Sequence, residues 1–299
     1  MHSGSWRAAV IATSTSALLA IGCAAQKPIQ PPAAAEETGS LPLSAELRRH
    51  RSDEGHRIIQ VTMTNAGTTP VIVHELALDA PGFTTLPPTP KGSTVRPGIP
   101  VDLPIPYGTT DCTDPASAAA EAGRDERIPV VRLRVSPVPG PEQDIRLEVD
   151  PAPLERVLAA ECRQAALARA VTVAFAGHWA IGTRAGLPAL NGTLVLTRGD
   201  AIGPVTVTAL DGSTLLALNT GSVPPQLPFV LPADADHAEL AIQVTAQSCD
   251  PHVRSQSQRP YELSVYVSVN GAEPLFVAPS VDQAAQAGMQ EVIAATCAG

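Results

Sequence analysis

Aromatic residues are scarce: four Phe, two Trp and three Tyr make up 3% of the 299 residues. So few rings leave little with which to stack sugars or bases. Basic charge is also short, with 20 Lys and Arg against 29 Asp and Glu, a formal charge of −9, and Lys27 and Lys91 as the only lysines. Phosphate backbones are held by clustered cations, so no nucleic-acid partner is expected. Beyond residues 8–22 no window is long and apolar enough to span a bilayer. Methionine is limited to Met1, Met63 and Met289, too few for the Met-rich clusters that carry copper. There is no Gly-x-Ser-x-Gly elbow, no His-Glu-x-x-His helix and no Gly-rich phosphate loop. Among His50, His56, His74, His178, His237 and His252, no pair has the i, i+4 spacing of a helical metal site. Ser and Asp abound without a spacing that marks a triad. No enzymatic activity, metal or cofactor is therefore expected.

What is present points to an exported β protein. Thirty Pro and 22 Gly among many Val and Thr favour short strands joined by turns. The chain opens with a short polar stretch carrying Arg7, followed by an uncharged apolar run from Ala8 to Gly22. That run has the length of a signal-peptide core and falls short of a spanning helix. It ends Leu19-Ala20-Ile21-Gly22-Cys23. The ending resembles the lipobox of bacterial lipoproteins, in which the cysteine receives a diacylglycerol and becomes the mature N-terminus. The resemblance implies a signal peptide over residues 1–22 and lipid attachment at Cys23. Residues 23–43 form a Pro/Ala-rich stretch without apolar periodicity, which reads as a disordered, extended tether. Loss of Arg7 with the leader takes the formal charge from −9 to −10.

An internal duplication organises the remainder. Val61 to Val73 and Val195 to Val207 each read as an alternating strand, a polar turn, then Pro-Val opening another strand. Each half then reaches a cysteine with an acidic residue and a proline behind it: Cys112-Thr113-Asp114-Pro115 and Cys249-Asp250-Pro251. Each half closes alike, on Val157-Leu158-Ala159-Ala160-Glu161-Cys162 and Val292-Ile293-Ala294-Ala295-Thr296-Cys297. Four cysteines allow three pairings, and the repeat selects Cys112–Cys162 with Cys249–Cys297. These gaps of 50 and 48 residues are nothing like Cys-x-x-Cys, so the bonds read as structural staples rather than redox centres.

Strands are expected near 44–50, 57–65, 70–79, 100–107, 129–136 and 144–150. In the second half they fall near 170–180, 192–199, 204–211, 214–219, 238–246, 261–269 and 274–278. Residues 80–99, rich in Pro and Gly, read as an irregular loop. The expected fold is all-β with small helical additions: two tandem Ig-like β-sandwich domains, 44–168 and 169–299, each with a C-terminal helix and one disulfide. The opening of the first, NAGTTPVIVHELAL, resembles the first hairpin of bacterial Ig-like modules. The helices are expected from Leu154 to Ala168 and from Asp282 to Thr296, with Asp282 as N-cap. Leu154, Val157, Leu158, Cys162 and Ala165 would face the core in one; Ala285, Met289, Val292, Ile293 and Cys297 in the other. Met63 and Met289 read as core residues, and RHRSDEGHR, carrying His50 and His56, as a solvated hairpin tip.

One constellation stands apart: Cys249-Asp250-Pro251-His252 followed by Gln258-Arg259. It resembles a Cys-Asp-Pro-His…Lys-Arg pattern of exported actinobacterial proteins, with Gln258 in place of the lysine, and the resemblance carries no activity with it. Asp250, His252 and Arg259 form a possible ligand patch; the structural alternative has Asp250 capping the turn after the cysteine. The function expected is a lipid-anchored binding or scaffolding module on the extracytoplasmic face of the cell membrane, docking on an envelope protein partner. The alternative is a small-ligand or metal-binding lipoprotein that uses the Asp250–His252–Arg259 loop.

Overall fold

The computed structural model describes residues 41–53, 55–112, 128–222, 224 and 226–298. The leader, Cys23 and the tether up to residue 40 lie outside these, as do Asp114 and Pro115 of the first repeat. From Pro42 onward the chain forms one compact unit. The fold is all-β with helical additions, as the strand pattern implied.

The first group of strands is β1 (Leu43–Arg48), β2 (Ile58–Asn65), β3 (Val71–Asp79), β4 (Thr89–Val95), β5 (Val101–Pro106), β6 (Val130–Pro137) and β7 (Gln143–Glu148). They form two antiparallel sheets, β1-β2-β5 and β4-β3-β6-β7, the division of strands typical of Ig-like sandwiches. Ile59, Val61 and Met63 of β2 and Leu76, Leu133 and Val135 of the other sheet are nearly inaccessible, and Gln60 and Thr62 between the β2 residues are also buried.

Helix α1 (Ala152–Ala170) follows, and no residue separates it from the next strand. The second group comprises β8 (Val171–Phe175), β9 (Ala180–Arg184), β10 (Leu187–Arg198), β11 (Val205–Asp211), β12 (Leu216–Thr220), β13 (Phe229–Leu231), β14 (His237–Ala246), β15 (Ser264–Val269) and β16 (Leu275–Val277). Its sheets are β12-β14-β10-β8, with β9 hairpinned onto β10, and β13-β11-β15-β16. Two more helices complete it, α2 (Pro251–Gln256) and α3 (Gln283–Cys297).

The duplication read from the sequence is a duplication of structure. The two Pro-Val motifs open β3 and β11, and the carbonyls of Pro70 and Pro204 accept equivalent hydrogen bonds, from Val138 N and Asn270 N, both at 2.9 Å. Both disulfides form as the repeat required, Cys112–Cys162 with Cα atoms 5.2 Å apart and Cys249–Cys297 with 5.3 Å. Each joins the segment after an equivalent strand, β5 or β14, to the helix that closes its half. Loop-closure entropy for such long loops is worth ~4 kcal/mol per bond.

Three local expectations change. Thr89–Val95, expected in an irregular loop, is the edge strand β4 paired with β3. Residues 170–180 are not one strand: the chain leaves β8 at Phe175 and returns as β9, antiparallel to β10. The RHRSDEGHR tip is not wholly solvated, because Asp53 is buried and accepts from Gln60 Nε2 (3.0 Å) and from His50 N (3.2 Å). Those bonds, that from Gln60 foremost, hold the Asp53 carboxyl below its ordinary range.

Candidate functional site

Helix α1 is the element on which the candidate surface is built. Its buried residues come as two pairs, Leu154 with Val157 and Leu167 with Ala170. Between them, residues 158–166 contain no fully buried side chain. At 100° per residue the two pairs point to sides of the helix about 140° apart. The single stripe expected from the sequence is therefore wrong for the second half of this helix, and Leu158, Cys162 and Ala165 are only half-buried. Leu167 belongs to the second sandwich's core with Val171, Leu190 and Val267. Helix α3, by contrast, sinks one stripe, Ala285, Met289, Val292 and Ile293, into that core as expected.

The two halves of α1 are held by different means. In the first half, Leu158 lies against Gly82, where a Cβ would stand 2.8 Å from Leu158 Cδ2. Glu161 accepts from Arg57 Nη1 at 3.0 Å and from the Tyr107 hydroxyl at 3.3 Å, and the Arg57 guanidinium lies 5.0 Å from the Tyr107 ring centre. Burial, with the Glu161 charge adding to it, pushes the Tyr107 phenol above its ordinary range. Cys162 follows immediately, bonded to Cys112. In the second half, the turn after β10 caps the helix: Gly199 N and Ala201 N donate to Ala170 O, and Asp200 N to Arg169 O, at 2.9, 3.3 and 3.0 Å. These bonds satisfy carbonyls that any helix end leaves without intrahelical partners.

Two grooves flank this second half. The larger, about 610 Å³, lies between Gln164, Leu167 and Ala168 of the helix and the strands β8 and β16, contributing Val171, Val173, Phe276 and Val277. Both strands are edges of their sheets. Gln164 Nε2 donates to the Phe276 carbonyl at 2.9 Å, so a side-chain amide occupies a position a neighbouring strand would take. The Phe276 ring is 41% exposed and stands edge-on to Tyr266, centroids 6.1 Å apart. The smaller groove, about 360 Å³, is lined by Ala166, Ala170, Val267, Val269 and Leu275, with the Arg163–Glu273 pair (3.5 Å) at its rim. No titratable side chain lines the larger groove. Its lining is mainly apolar, with Gln164 and Thr172 as the polar side chains.

The residues of the Asp250–His252–Arg259 patch each have local partners. Asp250 is the N-cap of α2, its Oδ1 accepting from His252 N at 2.8 Å, with Pro251 at the first helical position. Its carboxylate thus caps the turn after Cys249. Arg259 pairs with Glu262, Nη1 to Oε2 3.1 Å, both beside a shallow cleft of about 300 Å³. Ser213, Thr214 and Ser257 also line that cleft; Asp250 and His252 do not. The cleft hydroxyls are engaged with one another and with backbone, Thr214 Oγ1 with Ser257 Oγ at 2.9 Å and Ser213 Oγ donating to Pro260 O at 2.6 Å.

A cluster the sequence did not flag is His74, Ser136 and Glu142. His74 Nε2 lies 2.8 Å from Ser136 Oγ, and Glu142 approaches the same nitrogen at 3.9 Å. In a nucleophilic triad the carboxylate orients the ring through its other nitrogen, so this geometry does not form one. A bulge between Val73 and Glu75 brings His74 there, and nothing in the local sequence marks that irregularity. Among the described residues no group of three His, Cys, Asp or Glu could hold a metal ion, and no helix is long and apolar enough to cross a membrane.

No family model and no curated protein matches the chain. Among solved structures, the exo-chitosanase CsxA of Amycolatopsis orientalis aligns over 80% of this chain at 11% identity with a TM-score of 0.20. The alignment covers 26% of that enzyme's chain, so this protein spans about a quarter of its length. A BSP domain of a biofilm-associated protein aligns over 81% of this chain and 60% of that one, at 6% identity and a TM-score of 0.20. Similarity of this degree carries no argument about activity.

Proposed function

We propose that the protein is a membrane-anchored extracytoplasmic lipoprotein, lipidated at Cys23, that acts as a binding and scaffolding module of the cell envelope. The observation that carries the reading is α1, a helix whose first half is tied to Arg57 and Gly82 of the first sandwich and whose second half gives Leu167 to the core of the second, with three residues between β7 and it and none before β8. Such a connector suits a module that presents a surface rather than one that flexes. The disulfides fit an oxidising compartment, and the lipobox resemblance accounts for the anchor. The partner's apolar side chains would enter the larger groove beside α1, with the half-exposed Phe276 as its aromatic anchor.

A second reading rests on the cleft beside Arg259, where a small ligand would meet one guanidinium and several hydroxyls. The two readings separate by photo-crosslinking in living cells, with a crosslinking residue at Phe276 in one strain and at Gln258 in another. The docking reading expects one dominant protein adduct from Phe276, abolished when Cys23 is replaced by alanine. Adducts from Gln258 alone, or from neither position, would count against it, and saturable retention of a small molecule by the Gln258 cleft would favour the second.

A further inference from the structure

Beyond the docking role, we propose that the seat of α1 on the first sandwich is a hinge and that Cys112–Cys162 is the brace that locks it. With the bond closed, both sandwiches move as one body. Without it, the first sandwich swings about the segment joining β7 to α1 and the first half of α1 loosens, while its second half stays with the second sandwich.

The inference rests on an asymmetry between the two ends of one helix. The second end is continuous with β8, contributes Leu167 to the core, and has its last carbonyls capped by three backbone N–H groups of the following turn. Gln164 and Arg163 add contacts to β16 and to Glu273. The first end buries two side chains, Leu154 and Val157, as the second buries Leu167 and Ala170, but past Leu158 against Gly82 its remaining ties are those of Glu161 to Arg57 and Tyr107. Arg57 and Glu161 are 40% and 26% exposed, so water screens much of their attraction. At this end, which no backbone cap among the described residues ties to its sandwich, the covalent bond is found, one residue beyond Glu161.

The other disulfide has no such task. Cys297 ends α3, whose whole apolar stripe is already sunk in the second core, so Cys249–Cys297 reinforces a helix that packing alone orients. Two bonds in equivalent places of a repeat thus restrain different motions, because the helices they hold are packed differently.

Hydrogen exchange by mass spectrometry on the full chain in detergent tests this, comparing wild type with the Cys112→Ser/Cys162→Ser and Cys249→Ser/Cys297→Ser chains. The proposal expects amides of residues 153–162 to exchange about tenfold faster in the first variant. Residues 165–175 and the strands of both sandwiches should keep their wild-type rates. The second variant should leave α1 unchanged throughout. Three results would overturn the proposal: unchanged protection over 153–162, equal loosening of both halves of α1, or lost protection in β2, β3 and β6. The last would mean that the bond holds the sandwich itself. Glu161→Gln with the disulfide intact is the companion measurement; loosening as large as that of the cysteine variant would assign the brace to the ion pair. Should the first variant not accumulate, dithiothreitol added to the Cys249→Ser/Cys297→Ser chain, which keeps Cys112–Cys162 as its one structural disulfide, gives the same comparison.

Discussion

Alanine at Gly199 would place a Cβ 2.0 Å from the carbonyl oxygen of Arg169 and 3.1 Å from its carbon, both backbone atoms that no rotamer change can move. The turn must retreat from the end of α1, and the three backbone bonds it donates to Arg169 and Ala170 go with it. At a net ~1 kcal/mol for each hydrogen bond, the loss is about 3 kcal/mol. With a urea m-value of about 3 kcal/mol/M for a chain of this size, the unfolding midpoint falls by ~1 M. Gly186 supplies the control. It sits at φ +82° with nothing within 4 Å of a built Cβ, so alanine there costs only backbone strain, ~1–2 kcal/mol. Urea titration followed by circular dichroism reads both variants. A midpoint for Gly199→Ala no lower than that of Gly186→Ala would refute the capping of α1 by the second sandwich.

Arg198 carries the next prediction. Its Nε donates to Ala235 O at 2.8 Å, its Nη1 to Ala201 O and Gly203 O at 3.1 and 2.8 Å, and its Nη2 to Pro232 O. Lysine keeps the charge but cannot fork to four carbonyls, so Arg198→Lys should destabilise by ~2 kcal/mol, checked by the same titration. Asp53 predicts a pH dependence. Its folded pKa is depressed, so its contribution is present above the unfolded value of about 4 and lost as pH falls through the lower folded value. Wild type should therefore exceed Asp53→Asn in thermal midpoint at pH 7, with the gap closing on acidification below pH ~4; a gap independent of pH would contradict the assignment.

Much of this fold was legible because period-two alternation and a duplication are strong signals. Val61, Met63, Val71 and Val73 declare their strands without help, and the repeated Cys…Cys pattern alone selects both disulfides. The missed strands are edges. Thr89–Val95 reads TPKGSTV, an exposed edge whose only fully buried residue is Val95, so no alternation of apolar side chains announces it. Phe229–Leu231 is three residues long and pairs on one side only. The two-sided burial of α1 was hidden for a different reason. Alanines at 159, 160, 165, 166 and 168 fit either face of a helix, so the sequence could not say where one core ends and the next begins. The capping role of Asp250 was legible as Asp-Pro, whereas the lining of the Arg259 cleft, drawn from the turn after β11, the start of β15 and the end of α2, depends on the fold and was not.

The chain that emerges is two sandwiches on one strut, with an apolar groove along the strut's second half. Its proposed role depends on where the mature chain begins, and intact-mass analysis of the purified protein tests that most directly. The account predicts a chain starting at Cys23 and heavier than its sequence by a diacylglyceryl group, which leaves the membrane fraction when Cys23 is replaced by alanine. A mature chain with an unmodified Cys23, or one released into the medium without detergent, would contradict it.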